Sequence, residues 1–527
     1  MKNFIIIVFL SISLVSQAQR GDTNFNNIQA VWQLINTFYV DTVDRQALSR
    51  EVIVSMLKKL DPHSVFIPSE EVQSMNEQLE GNFEGVGVEF SIMNDTLMVV
   101  NAIIDGPSEK VGITSGDRII AIDGKNVASI GIKNADVFKM LRGKKGTTVD
   151  LTVLRKGIAE PMQFHVTRDK IPINSIDAAY MITPQTGYIK ISRFSLNTYD
   201  EFMTELKKLK QSKLQNIIVD LRGNGGGYMT AALNIADEFI ESGKLMLYTE
   251  GNLSPRQDFD SQKGGLFEKG RIVILIDESS ASASEIVSGA IQDWDRGVII
   301  GRRSFGKGLV QRQFKLHDDS ELRLTTARYY TPSGRSIQKY YDEDLSKYRK
   351  EIGSRFEHGE LTNPDSIHQR EDLIYKTLKN KRTVYGGGGI TPDIFVPLDT
   401  SMFTVFYRDL LSLGVYNRFM MKYIDENRSV LANEYKSFEQ FNSKYIVEDT
   451  LFEQLIAEAE KSEINIDEEQ VAISESHIRM QMKAFIARHL WSVNEYYKIV
   501  NQSVQVIQTA VKLIEDKKGY NEALEGN

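Results

Sequence analysis

Three short segments carry side chains that could make and break an acyl bond. The first is Ser279-Ser-Ala-Ser-Ala-Ser-Glu285, which follows the apolar run Arg271 to Asp277 and leads into a helical pattern. A buried strand that turns sharply into a helix presents small residues at the helix N-terminus. Unpaired N–H groups and the helix dipole there favour developing negative charge. An acyl-transfer serine belongs at such a place, because the next N–H can bind the tetrahedral oxyanion. The plainer reading is a serine-rich turn with one serine as N-cap. The second segment is Gly301-Arg-Arg-Ser-Phe-Gly-Lys307-Gly308, followed by the alternating run Val310 to Leu316. Lys307 and Gln311 then share a face, since strand side chains repeat every two residues. Burial of Lys307 would disfavour its ammonium form, so that a neutral amine could take a serine proton near neutral pH. Gln311 could hold that amine without adding charge. Against this stands the commonest fate of a lysine, a solvated surface position. The third segment is Asp220-Leu-Arg-Gly-Asn-Gly-Gly-Gly227 at the end of a buried strand. A glycine run of this kind brings backbone N–H groups close to a ligand and forms an anion-binding nest, able to supply a second oxyanion donor beside that of Ala283. A plain flexible turn is the alternative.

Other chemistries fit less well. Gly301 to Lys307 has phosphate-loop spacing, but Gly308 leaves no hydroxyl for magnesium and a strand pattern follows where a helix should open. The glycine run lacks the dinucleotide-binding spacing. The chain has 7 histidines and none lies in a convincing triad setting; His489 falls on an apolar helix face and reads as a core residue. No metal-ligand spacing appears, and no cofactor is expected. Asp293, late on the helix that follows the serines, reads as a structural carboxylate rather than a base. With 0 cysteines, thiolate nucleophiles, thiolate metal sites and disulfides are excluded. A net charge of -8 argues against nucleic-acid binding by broad phosphate neutralisation.

The elements that must hold these segments can be read along the chain. Lys2, the apolar run Phe4 to Val15 and Ser16-Gln17-Ala18 have the order of a secretory signal, expected over residues 1–18. An uncleaved membrane anchor is the alternative. Residues 19–80 read as helices, the second ending at Leu60-Asp61-Pro62. Residues 81–169 change to short strands with glycine turns and one helix over Ala135 to Leu141, a small barrel. From 170 to 400, apolar strands at Tyr188 to Ile191, Asn216 to Leu221 and Ile272 to Asp277 alternate with helical patterns, which predicts an α/β core with mainly parallel strands. Residues 401–527 read as charged helices, with one amphipathic stretch from Met480 to Ile514.

Taken together, the sequence resembles the C-terminal processing, or tail-specific, serine peptidases. The resemblance runs over about residues 25 to 400 and is carried by motifs in one order. They are Leu60-Asp-Pro-His-Ser64, Gly85-Val-Gly-Val88, Gly106-Pro-Ser108, Gly116-Asp-Arg-Ile-Ile-Ala-Ile-Asp-Gly124 and the glycine run to Gly227. Ser280-Ala-Ser-Ala-Ser-Glu-Ile286, Phe305-Gly-Lys-Gly308 with Gln311, Tyr330-Thr-Pro-Ser-Gly-Arg335 and Gly389-Ile-Thr-Pro-Asp393 complete the set. The resemblance implies a multidomain α+β chain, a PDZ domain set before a ClpP/crotonase-like α/β protease core, with helical regions on both sides. It implies Ser282 as nucleophile, Lys307 as base and Gln311 as third member, with oxyanion donors at Ala283 and in the glycine run, at Gly225 or Gly226. PDZ domains take up peptides by strand addition and capture the terminal carboxylate on a glycine loop. That loop would be Gly85, Val86, Gly87 and Val88, with Val137 and Leu141 forming the side-chain pocket. The expected partners are proteins with exposed apolar C-termini, with a homodimer and a regulatory lipoprotein adaptor as further expectations. The expected location is periplasmic. Arg168, between the two domains, is a candidate for coupling docking to activity. The alternative is an inactive PDZ-bearing adaptor or holdase.

Overall fold

In the computed structural model, residues 23–262, 264–342 and 344–526 are described. The expected signal segment lies outside them. Among the described residues no helix is long and apolar enough to cross a membrane.

The chain forms two compact units. The first holds the residues up to Ser69 with Arg312–Leu324. It contains α1 (Thr23–Phe38), α2 (Arg45–Lys58) and β1 (Val65–Ile67), the last pairing antiparallel with Glu321 to Arg323. Asp44 starts α2 as its N-cap, accepting from the amides of Gln46 and Ala47. The Leu60-Asp-Pro-His-Ser turn is closed by Asp61. Asp61 accepts from the His63 and Ser64 amides at 2.7 and 2.8 Å and from the Ser64 hydroxyl at 2.6 Å.

The second unit holds Glu70–Gln311 and the chain from Thr325 onward. Its β-rich part comprises β2 (Asn82–Gly85), β3 (Val88–Met93), β4 (Thr96–Ala102), β5 (Arg118–Ile122), β6 (Lys125–Asn126), α3 (Asn134–Leu141), β7 (Thr148–Leu154), β8 (Met162–Thr167) and β9 (Asp169–Pro172). The sheet runs β3-β4-β5-β7-β8, antiparallel throughout, so β3 is an edge. The alternation in β7, with Val149, Leu151 and Val153 inward, is the period-two pattern of a half-buried strand.

The α/β part is a six-stranded sheet, ordered β10 (Ile176–Met181), β11 (Thr186–Ile191), β12 (Asn216–Asp220), β13 (Arg271–Ile276), β14 (Val298–Gly301) and β15 (Ile394–Phe395). β10 is antiparallel to β11 and every other neighbour is parallel. Burial on both faces explains why β12, β13 and β14 are nearly continuous apolar runs. One face packs on α4 (Thr198–Gln211), α5 (Met229–Asp237) and α6 (Ala283–Asp293) through Phe202, Ile235 and Val287. The other face is closed by the end of the chain. There α10 (Gln505–Glu515) and α11 (Lys517–Glu525) lay Val506, Ile507, Ala510, Ile514 and Tyr520 against Tyr188, Ile218, Val273 and Val298.

The second unit also holds a helical bundle that includes α7 (Val415–Glu434), α8 (Glu468–Leu490) and α9 (Val493–Val500). The single amphipathic stretch expected from Met480 to Ile514 is therefore three helices. Ser492 breaks it by capping α9 through the Asn494 amide, and a second break follows Val500.

Candidate active site

The serine segment leaves β13 and reaches α6 through a tight turn. Ser282 is the residue before α6, with φ 55° and ψ −110°. A non-glycine residue at positive φ carries about 1–3 kcal/mol of strain and persists only where its surroundings fix it. Here two buried side chains do so. Glu285, fully buried, accepts from the Ser282 amide at 2.7 Å. The same oxygen, Oε2, accepts from the Lys307 amide at 2.9 Å. One oxygen thus fixes both segments, and the two amide nitrogens lie no more than about 5.6 Å apart. The other oxygen, Oε1, accepts from the Gly306 amide at 2.7 Å and from the Ser304 hydroxyl. Burial pushes the Glu285 carboxyl above its ordinary range, while these four donors pull the other way.

Tyr329 completes the clamp from the carbonyl side. Its hydroxyl donates to Lys307 O at 2.7 Å and to Ser282 O at 3.1 Å. Burial, with the Glu285 charge second, holds this phenol far above 10, so it stays a donor. Lys307 and Ser282 are both half-buried, and Lys307 Nζ donates to Gln311 Oε1 at 3.2 Å. Gln311 sits on the strand Leu309–Lys315, as the alternation predicts. A strand, and not a helix, follows Gly308, which removes the phosphate-loop reading. The turn that carries Lys307 is braced by Arg303 on Glu360 at 2.6 Å and by Arg355 on Ser304 O at 2.8 Å.

The glycine run lies against the serine turn. A Cβ at Gly226 would stand 2.7 Å from Ala281 O, 2.8 Å from Ser282 Cβ and 3.0 Å from Ala283 N, so only glycine fits. The Ala283 amide has no protein acceptor among the described residues, and neither has that of Gly225; the Gly226 amide donates to Asn224 Oδ1 at 2.9 Å. Asp220, at the end of β12, is held below the ordinary carboxylate range. Burial works against this, and the Arg222 guanidinium, Lys190 and the Tyr188 hydroxyl outweigh it.

Asp293 is fully buried, pairs with Arg335 at 2.8 Å and accepts from the Ser333 amide at 2.9 Å. That is the geometry of a structural carboxylate. His489 is buried on α8, as its apolar face predicts.

In the β-rich part, Gly85 ends β2, Val86 and Gly87 form the link, and Val88 opens the edge strand β3. Gly87 takes φ 75°, and its carbonyl accepts from the Ile103 amide. Val137 and Leu141 on α3 are buried in the domain core with Val86. Phe138, not singled out from the sequence, remains 45 % exposed, and its ring lies 5.2 Å from that of Phe90 on the edge strand. Arg168 fastens the end of α3, donating to Leu141 O at 3.1 Å and Met140 O at 2.8 Å.

The sequence matches the model of Peptidase family S41 over residues 185–346 and a PDZ domain over residues 98–155. Residues 406–492 match a family of unknown function. The carboxy-terminal-processing protease of Bartonella bacilliformis is 36% identical over 347 residues, covering 64% of this chain and 79% of that protein. The chain belongs to the carboxy-terminal processing proteases of family S41. Carboxy-terminal processing protease CtpB of Bacillus subtilis is 32% identical over 324 residues, 60% of this chain and 66% of its own length. Among solved structures, the photosystem II D1 C-terminal processing protease is similar at 26% identity, covering 59% of this chain and 89% of that one, with a TM-score of 0.35.

For a carboxy-terminal processing protease the fold is thus a PDZ domain with an S41 core and a helical C-terminal region. Three residues about the site escaped the sequence reading: Glu285, Tyr329 and Asn224. Glu285 had one signal, since an acidic residue three positions after a serine at a helix start has capping-box spacing. Tyr329 had none, because its partners are remote in sequence, and Asn224 had only its turn-forming spacing to Gly226, since Ile191, Ala281 and Ser284 are remote.

Proposed function

We propose that this protease is an exported serine endopeptidase that docks the C-terminal tails of protein substrates on its PDZ domain. It cuts them through Ser282 with Lys307 as base. As the Ser282 Oγ–carbon bond forms, the hydroxyl proton passes to neutral Lys307 Nζ, which Gln311 holds in place. The ammonium then gives its proton to the leaving amine, and water hydrolyses the acyl-enzyme by the reverse order of transfers. The developing oxyanion is taken by the Ala283 amide and a glycine amide of 225–227. The observation that carries this reading is the shared Glu285 oxygen, which ties the amides of Ser282 and Lys307 at 2.7 and 2.9 Å. Edge strand β3 and the Gly85–Val88 link support docking by strand addition. Within the proposal, residues 1–18 are a signal peptide, 19–80 a helical region, 81–169 the PDZ domain, 170–400 the peptidase core and 401–527 the helical region.

The test is cleavage of an unfolded protein ending in apolar residues. Ser282→Ala and Lys307→Ala should each lose at least about 10³-fold in rate. Asp293→Ala leaves the Arg335 charge buried and unpaired, which costs about 3–5 kcal/mol of stability, yet its folded fraction should still cut. A Lys307→Ala enzyme that cuts at the wild-type rate would show that another group is the base.

A further inference from the structure

Asn224 is fully buried and spends every polar group it has at one place. Its Nδ2 donates to Ile191 O at 2.9 Å, and its Oδ1 accepts from the Gly226 amide at 2.9 Å. Its own amide donates to Leu221 O at 3.1 Å. Its carbonyl accepts from the Ala281 amide at 3.0 Å and from the Ser284 hydroxyl at 2.9 Å. Ala281 and Ser284 stand on either side of Ser282 and Ala283. One residue therefore joins the glycine run to the serine turn both before and after the nucleophile.

We infer that Asn224 is the positioning residue of the oxyanion wall, an inference that rests on the hydrolase reading above. Two consequences follow from its bonds. It takes the Gly226 amide out of use, so the amides left to meet an oxyanion are those of Ala283 and of Gly225 or Gly227. Its side chain also fixes the spacing between these amides, because Nδ2 on Ile191 O and Oδ1 on the Gly226 amide hold in place the backbone carbonyl that meets Ala281 and Ser284. An oxyanion donor acts only if it lies within about 2.7–3.1 Å of the developing charge, so a loosened run loses transition-state binding before it loses substrate binding. Asn224 touches no substrate itself; it acts through the amides beside it.

The experiment compares wild type, Asn224→Ala and the milder Ser284→Ala, which removes one hydroxyl bond to the Asn224 carbonyl. Two quantities are read: kcat and KM on β-casein, and the affinity of a dipeptidyl leucine boronate that mimics the tetrahedral intermediate. Asn224→Ala should lower kcat by about 10²–10³-fold, the range for loss of an oxyanion donor, with KM changed less than about threefold. Boronate binding should weaken in step with kcat/KM. Ser284→Ala should move both quantities the same way by about tenfold. Unchanged kcat in Ser284→Ala, or a fall in kcat with boronate affinity retained, overturns the role of Asn224. If Asn224→Ala does not fold, Ser284→Ala alone decides. A wild type that neither cuts β-casein nor binds the boronate overturns the hydrolase reading, and this inference with it.

Discussion

At the scale of single residues, the site depends on groups with no chemistry of their own in the reaction. Glu285 is a carboxylate used as a four-way acceptor, with two donors on each oxygen. Replacing it with glutamine turns one oxygen into an amide NH2 group, itself a donor, that must face two donors. Glu285→Gln should therefore lose more activity than the milder Tyr329→Phe. The expected losses are at least about 10²-fold for Glu285→Gln, because an unsatisfied buried donor pair costs about 1–3 kcal/mol for each group, and about tenfold for Tyr329→Phe. Initial rates on an unfolded protein, normalised to folded enzyme, check both. A Glu285→Gln enzyme at the wild-type rate would show that the shared oxygen does not align the two segments. The glutamate takes the N–H and the tyrosine the C=O of the same two residues, Ser282 and Lys307, and so the double variant should lose less than the two single losses combined.

At the scale of elements, α8 carries a titratable group in the wrong environment for charge. Burial, then Arg488 and Arg428, brings the His489 imidazole down to about 3. In the unfolded chain it titrates near 6.5. Between these values the unfolded state binds more protons, so this histidine makes the fold less stable as pH falls from about 6.5, each unit costing up to about 1.4 kcal/mol, until the loss levels off near 3. His489→Leu should flatten that acid limb in urea melts at several pH values while leaving the neutral-pH midpoint little changed. An acid limb of the same slope in the variant would assign the effect to other groups. The ring packs at 4.4 Å from that of Phe485, so leucine keeps the contact apolar.

At the scale of the whole chain, the C-terminal region does two different jobs. Helices α10 and α11 complete the core by covering the second sheet face, and Tyr520 donates to Ile272 O at 2.8 Å and accepts from its amide at 3.0 Å. By contrast, α7 meets the PDZ sheet through a small patch, Met421 on Met98 and Val100, edged by Arg118 on Asp425 at 2.7 Å. A large apolar interface is permanent, whereas a small one with a half-exposed ion pair worth about 1 kcal/mol or less is adjustable. Asp425→Arg should raise amide exchange in β4 and β5 with little change in the core strands, and Arg118→Asp added to it should restore protection. Equal exchange in all three would show that this pair does not hold the PDZ sheet.

The elements and the chemistry they could carry are legible in the linear order of residues. The strands Asn216–Asp220 and Arg271–Ile276 and the helix Ala283–Asp293 stand where the apolar runs and the serine turn predict them. Gln311 stands on the strand Leu309–Lys315, where the alternation predicts a strand, with Lys307 in the turn before it. These are local properties, set by side-chain period and by turn residues within a few positions of each other. The bonds between distant segments come only with the folded chain. Glu285 bonds to residues up to 22 positions away, Tyr329 to a carbonyl 47 positions away and Asn224 to a hydroxyl 60 positions away. The covering of the sheet by α10 and α11 spans more than half the chain. No periodicity encodes such pairings, because they are fixed by how apolar faces close on one another, and the buried polar groups then take the partners that this closure brings within reach.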